Sequence, residues 1–291
     1  MTVERLVREI ARAFRAARLT YGHGTQGAID EAAWLVGHVL HLAPAALEGA
    51  LADEATAAQR KRALSLAARR VRERAPLAYL LKEAWIGDVR FTVDRRVIVP
   101  RSFIGELLFD GLDPWVPRSP RRVLDLCTGS GCLGILAALR HPRCRVDLAD
   151  ISGRALQVAA RNIAMHGVGD RVRAWRTDVF EGLPAGRYDL ILANPPYVNA
   201  ASMRRLPEEF RREPGLALAG GKDGLDLVHR ILADAAARLS GRGVLICEIG
   251  HNRRALELAY PRTPFTWLDA AAGGDFVFAL DRADLPPAGG K

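Results

Sequence analysis

The chain predicts an α/β fold, a mainly parallel sheet of seven strands covered by helices, preceded by a small all-helical domain. Three observations lead there. Beyond Arg121, short β-branched runs alternate with helical periodicities, the pattern of a parallel sheet covered on both faces. Residues 1–83 instead space their apolar side chains for helices. The length, 291 residues, suits one large α/β domain plus a smaller one.

Taken in order, Val3, Leu6, Val7, Ile10 and Phe14 mark one face of a first helix. A second is expected to start near Asp30, an N-cap candidate, and to carry Trp34, Leu35 and Val39. A third opens on a capping box, Thr56 with Gln59, and runs to about Arg74 before Pro76 stops it. From Ala84 the period shortens. Residues 85–87, 90–93 and 96–99 read as short strands with a turn at Asp94, so 84–102 form a β-hairpin linker ended by Pro100.

Residues 103–282 form the larger domain. Its strand candidates are Val123–Leu126, Val146–Asp150, Val172–Arg176, Tyr188–Ala193, Val244–Ile249, Phe265–Leu268 and Phe276–Leu280, and helices begin near Gly131, Ser152, Asp223 and Asn252. Only Asp269 to Asp275 separates the last two strands, too short a link for a parallel crossover, so the final strand is expected to run antiparallel. Residues 283–291, rich in Pro and Gly, read as a disordered tail.

Composition narrows the function. No apolar run approaches the ~20 residues of a membrane span, and the amphipathic N-terminus, with Glu4 and Glu9, lacks a signal-peptide core. The four cysteines have no metal-ligand spacing, so reduced thiols, a cytoplasmic setting and no metal are expected. The net charge of +9 suits an anionic partner, yet it comes almost wholly from arginine and amounts to only +4 over residues 1–85. A ribosomal RNA contact stays open on that ground.

The segment from Asp125 through Cys127, Thr128, Gly129, Ser130 and Gly131 to Gly134 joins the first strand of the large domain to a helix. Glycines let the backbone turn tightly and approach a ligand. In an open α/β sheet that ligand lies at the carboxyl ends of the strands. Asp150 closes the second strand, where a carboxylate can accept both hydroxyls of a ribose. The loop fits NAD as well as S-adenosylmethionine. Asp178 and Val179 follow the third strand, either beside an adenine or, with Phe180, as core.

The fourth strand runs straight into Asn194-Pro195-Pro196-Tyr197. Adjacent prolines fix φ and remove two N–H donors, leaving the carbonyls of Asn194 and Pro195 as acceptors in a rigid loop. Two acceptors on the N–H bonds of a planar amide or aromatic amine hold its nitrogen toward an electrophilic methyl and favour pyramidalisation as charge develops. The Asn194 side-chain oxygen and the Pro195 carbonyl suit those roles, with the Tyr197 ring packed on the amide plane. Such chemistry decides for S-adenosylmethionine over NAD.

Leu124-Asp125-Leu126-Cys127-Thr128-Gly129-Ser130-Gly131 together with Asn194-Pro195-Pro196-Tyr197 resembles the protein glutamine N5-methyltransferases. Val99-Pro100-Arg101-Ser102-Phe103-Ile104-Gly105-Glu106-Leu107, Pro76–Leu80, Glu213–Leu218 and Gly224–Leu227 resemble their ribosomal-protein branch, rather than the release-factor branch. The resemblance spans roughly residues 1–282. It implies a Rossmann-like class I methyltransferase domain, with an N-terminal domain that recognises substrate. It also implies S-adenosylmethionine held by Cys127–Gly131, Asp150 and Asn194, and a glutamine held by Asn194–Tyr197. The implied partner is protein three of the large ribosomal subunit, free or on the assembling subunit. Arg101 and Glu213 are either substrate contacts or surface ion pairs. An adenine or guanine N-methyltransferase would use the same loop, but residues 1–85 offer few aromatics for stacking bases. A non-catalytic assembly factor would have no use for the paired acceptors.

Overall fold

The computed structural model describes residues 1–109, 112, 114–116, 119–270 and 273–287. The chain divides into two compact units, residues 1–95 with 206–213, and residues 96–205 with 214–291.

In the first unit, α1 (Val3–Ala16) starts where the Thr2 hydroxyl accepts from the Arg5 N–H, and it buries Val3, Leu6, Val7, Ile10 and Phe14. Helix α2 (Ala28–Leu40) begins two residues before the expected Asp30, capped by Gly27. Asp30 and Glu31 lie inside its first turn, where the helix dipole favours acids. Helix α3 (Ala57–Glu73) has the expected capping box and ends on Arg74 in the left-handed conformation. Pro76 then starts a short helix, α4 (Leu77–Leu81), which the periodicity did not suggest.

Strands β1 (Glu83–Ile86) and β2 (Val89–Thr92) pair antiparallel around a turn at Gly87, φ +56°. The expected third strand at 96–99 does not form. Residues 95–97 turn, and Val97 and Val99 are buried from a loop, so their alternation reflects burial without strand pairing.

Residues 206–213 complete this unit with a charged, water-excluded cluster. The fully buried Arg70 donates from Nε to Glu31 (2.6 Å) and from Nη2 to the Thr20 carbonyl (3.2 Å). Glu209 accepts from the Thr20 N–H at 3.1 Å and lies 3.7 Å from Arg70 and 2.8 Å from Arg74. Glu213 is buried too, 3.5 Å from His23, so it is no surface ion pair.

The second unit contains α5 (Phe103–Phe109), also unforeseen, and then the sheet. Its elements are β3 (Arg122–Leu126), α6 (Cys132–Arg140), β4 (Arg145–Asp150), α7 (Gly153–Met165), β5 (Val172–Arg176), β6 (Tyr188–Ala193), α8 (Ala200–Met203), α9 (Asp226–Arg238), β7 (Leu239–Glu248), α10 (Arg253–Ala259), β8 (Thr266–Ala270) and β9 (Gly273–Asp281). The seven strands lie in the order β5-β4-β3-β6-β7-β9-β8. All pairings are parallel except those of β9, which runs antiparallel to both β7 and β8. The short β8–β9 link forces that reversal, as the sequence predicted.

The chain builds outward from β3 to β5, then returns to β6 on the other side of β3. Strand order thus reverses between β3 and β6, and a crevice for ligands opens at such a point. The core beneath it includes Leu124, Leu126, Ile191, Ala193, Leu245, Cys247 and Phe278. The disordered tail expected from residue 283 does not begin there: Arg282–Asp284 form a 3-10 turn and Leu285 packs into this core. Residues 288–291 lie outside the described residues.

Candidate active site

Register brings the two motif loops together. Leu126 pairs with Ala193 and with Ala149. Cys127, Asp150 and Asn194 therefore leave three neighbouring strands at one edge of the sheet.

The loop after β3 is organised from beneath by Asp125. Its Oδ2 accepts from the Thr128 hydroxyl and from the Gly134 N–H at 2.9 Å, while Oδ1 is buried with no partner among the described residues. Burial pushes its carboxyl up to about 7, although the bonds from Thr128 and Gly134 pull the other way. Cys127 (φ +56°), Gly129 (φ +56°) and Gly131 (φ +84°) take the left-handed backbone that lets the chain double back. A Cβ on Gly134 would overlap Leu148, so the third glycine serves close helix-on-sheet packing. Beside Gly129 the nearest atom a Cβ would meet is Ile98 Cγ2 at 3.9 Å, which leaves that backbone approachable.

Asp150, half-buried, accepts from the Gly129 N–H at 2.9 Å and the Ser152 N–H at 2.8 Å. Burial raises its carboxyl, and those two backbone bonds favour the ionised form. Burial also pushes up the Cys127 thiol. Asp178 is ion-paired with Arg230 at 2.9 Å. Val179, at φ +53°, is partly buried against the sheet core, and Phe180 is fully part of that core.

Asn194 is half-buried where β6 ends, Pro195 is buried, and Pro196 and Tyr197 are half-buried. The Tyr197 hydroxyl donates to Glu248 Oε1 at 3.1 Å, and the Tyr197 carbonyl accepts from Asn252 Nδ2 at 2.8 Å. Glu248 Oε2 accepts from Ser102 Oγ at 2.6 Å and from the Phe103 N–H at 3.0 Å. Arg101, which donates to the Val99 carbonyl at 3.3 Å, also acts electrostatically on Glu248. The motif Val99–Ser102 and the Asn-Pro-Pro-Tyr loop thus converge on one carboxylate.

Motif reading missed that carboxylate. It also missed Asn162 on α7, a buried side chain whose Nδ2 donates to the Ser130 carbonyl at 2.8 Å and pins the glycine loop. A buried Asn inside an otherwise apolar helix face is the one signal the sequence offered for it. Among the described residues no group of His, Cys, Asp and Glu could hold a metal ion, and no helix is long and apolar enough to cross a membrane.

Residues 105–215 match the methyltransferase small domain family. The ribosomal protein uL3 glutamine methyltransferase of Bordetella pertussis is 53% identical over 98% of this chain and 96% of its own length. Those of Neisseria meningitidis serogroup B and Burkholderia pseudomallei are 48% and 47% identical, over 98% and 99% of this chain and 94% and 97% of theirs. Among solved structures, the hMettl16 catalytic domain in complex with a 3'UTR hairpin superposes with a TM-score of 0.50 at 16% identity, over 78% of this chain and 81% of that one. That last likeness is one of fold alone. Similarity to the curated relatives runs nearly end to end, and the chain belongs to the family of ribosomal protein uL3 glutamine methyltransferases.

Proposed function

We propose that the protein transfers a methyl group from S-adenosylmethionine to the side-chain amide nitrogen of a glutamine in ribosomal protein uL3, in the cytoplasm. The carrying observation is the register of Leu126 beside Ala193, which opens the glycine loop and the proline-locked acceptor loop side by side. The N-terminal helical unit is assigned to recognition of the protein substrate. The net charge of +9 favours an approach to ribosomal RNA on the assembling subunit.

The residues at the sheet edge fit the cofactor. Asp150 is fixed by two backbone donors and keeps lone pairs for ribose hydroxyls. The backbone of Cys127, Thr128, Gly129, Ser130 and Gly131 is approachable at Gly129, and the unpartnered Oδ1 of Asp125 adds one more polar atom beneath the loop. Asp178 and Val179 are assigned to the adenine, Asp178 restrained by Arg230.

Bound S-adenosylmethionine supplies a methyl group on a cationic sulfur. The remaining work belongs to the chain. Asn194 Oδ1 and the Pro195 carbonyl accept from the two N–H bonds of the glutamine amide, which weakens its π conjugation and aims the lone pair. Pro196 keeps the loop from relaxing, Tyr197 packs on the amide plane, and Arg101 meets the substrate chain. The methylated nitrogen is acidic and gives its proton to solvent, so no side-chain base is needed.

Purified protein with radiolabelled S-adenosylmethionine is expected to label uL3 in preference to a peptide chain release factor or naked RNA. Label found chiefly in RNA would sink the reading. Asn194→Ala is expected to lose roughly 10²–10³-fold in turnover at saturating cofactor, the scale of one lost charge-stabilising group. Unchanged turnover in that variant would remove Asn194 from the mechanism.

A further inference from the structure

Tyr197 is held at three points by one short segment, residues 248–252, which runs on from the last residue of β7. The hydroxyl end of the ring donates to Glu248 Oε1 at 3.1 Å. The ring edge lies over Gly250, where a Cβ would come within 2.7 Å of Tyr197 Cδ2 and Cε2 and where φ is +55°. The backbone end is fixed by Asn252 Nδ2 on the Tyr197 carbonyl at 2.8 Å. Alternate residues, 248, 250 and 252, thus grip the hydroxyl, the ring and the main chain.

Glycines enclose the same residue from the loop before α9. A Cβ on Gly220 would meet Pro196 O at 2.7 Å and Tyr197 Cα at 2.8 Å, and one on Gly224 would overlap the Tyr197 carbonyl. Glu248 is in turn immobilised. Its other oxygen takes two donors from Ser102 and Phe103, and it is 1% exposed. A buried carboxylate that accepts three hydrogen bonds, from Tyr197, Ser102 and Phe103, is a stiff anchor.

We propose that Glu248, Gly250 and Asn252 form a cradle that sets the plane of the Tyr197 ring, with Glu248 acting as a positioning residue for the methyl-transfer step. This rests on the reading above, in which the ring packs on the substrate amide. Glu248 touches neither reactant; its effect passes through the Tyr197 hydroxyl. A ring tilted out of plane leaves the amide free to rotate, and sub-ångström misplacement is enough to slow a positioned reaction. Methyl-donor binding rests chiefly on the loop after β3 and on Asp150, away from the Tyr197 hydroxyl, and is expected to survive.

The test is a double-mutant cycle on the full-length protein with uL3 as substrate. Glu248→Ala and Tyr197→Phe are each expected to lower kcat by about tenfold, and the double variant to fall no further than either single one, because both cut the same link. Glu248→Gln should recover most of the rate, since its amide can bridge the same two sides. The dissociation constant for S-adenosylhomocysteine should stay within about twofold in every variant. Multiplicative losses in the cycle, or a Glu248→Ala kcat equal to wild type, overturn the proposal. Should Glu248→Ala fail to fold, Gly250→Ala tests the cradle from its other side; wild-type turnover there overturns it as well. Tyr197→Ala separates the two ideas. Undiminished turnover in Tyr197→Ala refutes the ring's role at the amide, whereas a loss there beside an unaffected Glu248→Ala refutes the cradle alone.

Discussion

At the scale of single residues, Asp125 joins the loop's architecture to pH. Unfolded, its carboxyl ionises near ~3.9; folded, burial holds the proton up to about 7. Between those values the folded state binds a proton that the unfolded state has lost. Its contribution to stability is therefore complete below about pH 4 and is lost as the pH rises through 7. Asp125→Asn cannot titrate, so the melting temperature of the variant minus that of the wild type is expected to rise between about pH 5 and pH 8. A difference that stays level across this range would show that the group is ionised in the fold. The glycines, Asp150 and Asn194 were legible from the sequence because their chemistry depends on local spacing. Asn162, Glu248 and Asn252 were not, because each acts through a partner on a distant stretch of chain: Ser130, Ser102 with Tyr197, and Tyr197 again.

At the scale of elements, local rules succeeded where both halves of a signal sit within one turn of chain. The α3 capping box shows this: the Thr56 hydroxyl accepts from the Gln59 N–H at 3.2 Å while the Gln59 side chain accepts from the Thr56 N–H at 2.9 Å. Thr56→Ala is expected to cost about 1 kcal/mol, read as a shift in the denaturant midpoint; no shift would mean that the cap is idle. Asp30 misled because an acid in the first helical turn and an N-cap acid look alike in sequence. Residues 96–99 misled for a different reason. Alternating burial is common to a paired strand and to an extended loop laid on a core, and only the partner strand tells them apart.

At the scale of the whole molecule, strand number and the antiparallel last strand could be read from connection lengths, but the course of the chain could not. Residues 206–213 belong with the helical unit although they lie deep in the second half of the sequence. Charged and proline-containing, they carry no local signal of that placement. Their apposition to Arg70 and Arg74 is a tertiary fact. Glu209→Ala removes one carboxylate from a buried cluster and leaves Arg70 short of a partner. It is expected to cost roughly 3–5 kcal/mol in chemical denaturation, and a loss under about 1 kcal/mol would place the cluster among dispensable surface pairs.

The crossing of residues 206–213 also bears on how the protein is made. Translation delivers residues 1–95 first, with Arg70 and Glu31 destined for a dry interior. The eight residues that finish that interior emerge only after most of the sheet's first strands, and the sheet itself still awaits β7 to β9. Neither unit is a contiguous run of chain, the condition under which domains fold in order of synthesis. The enzyme is expected to resist being expressed as two separate halves cut at residue 95, because the first half would then lack residues 206–213.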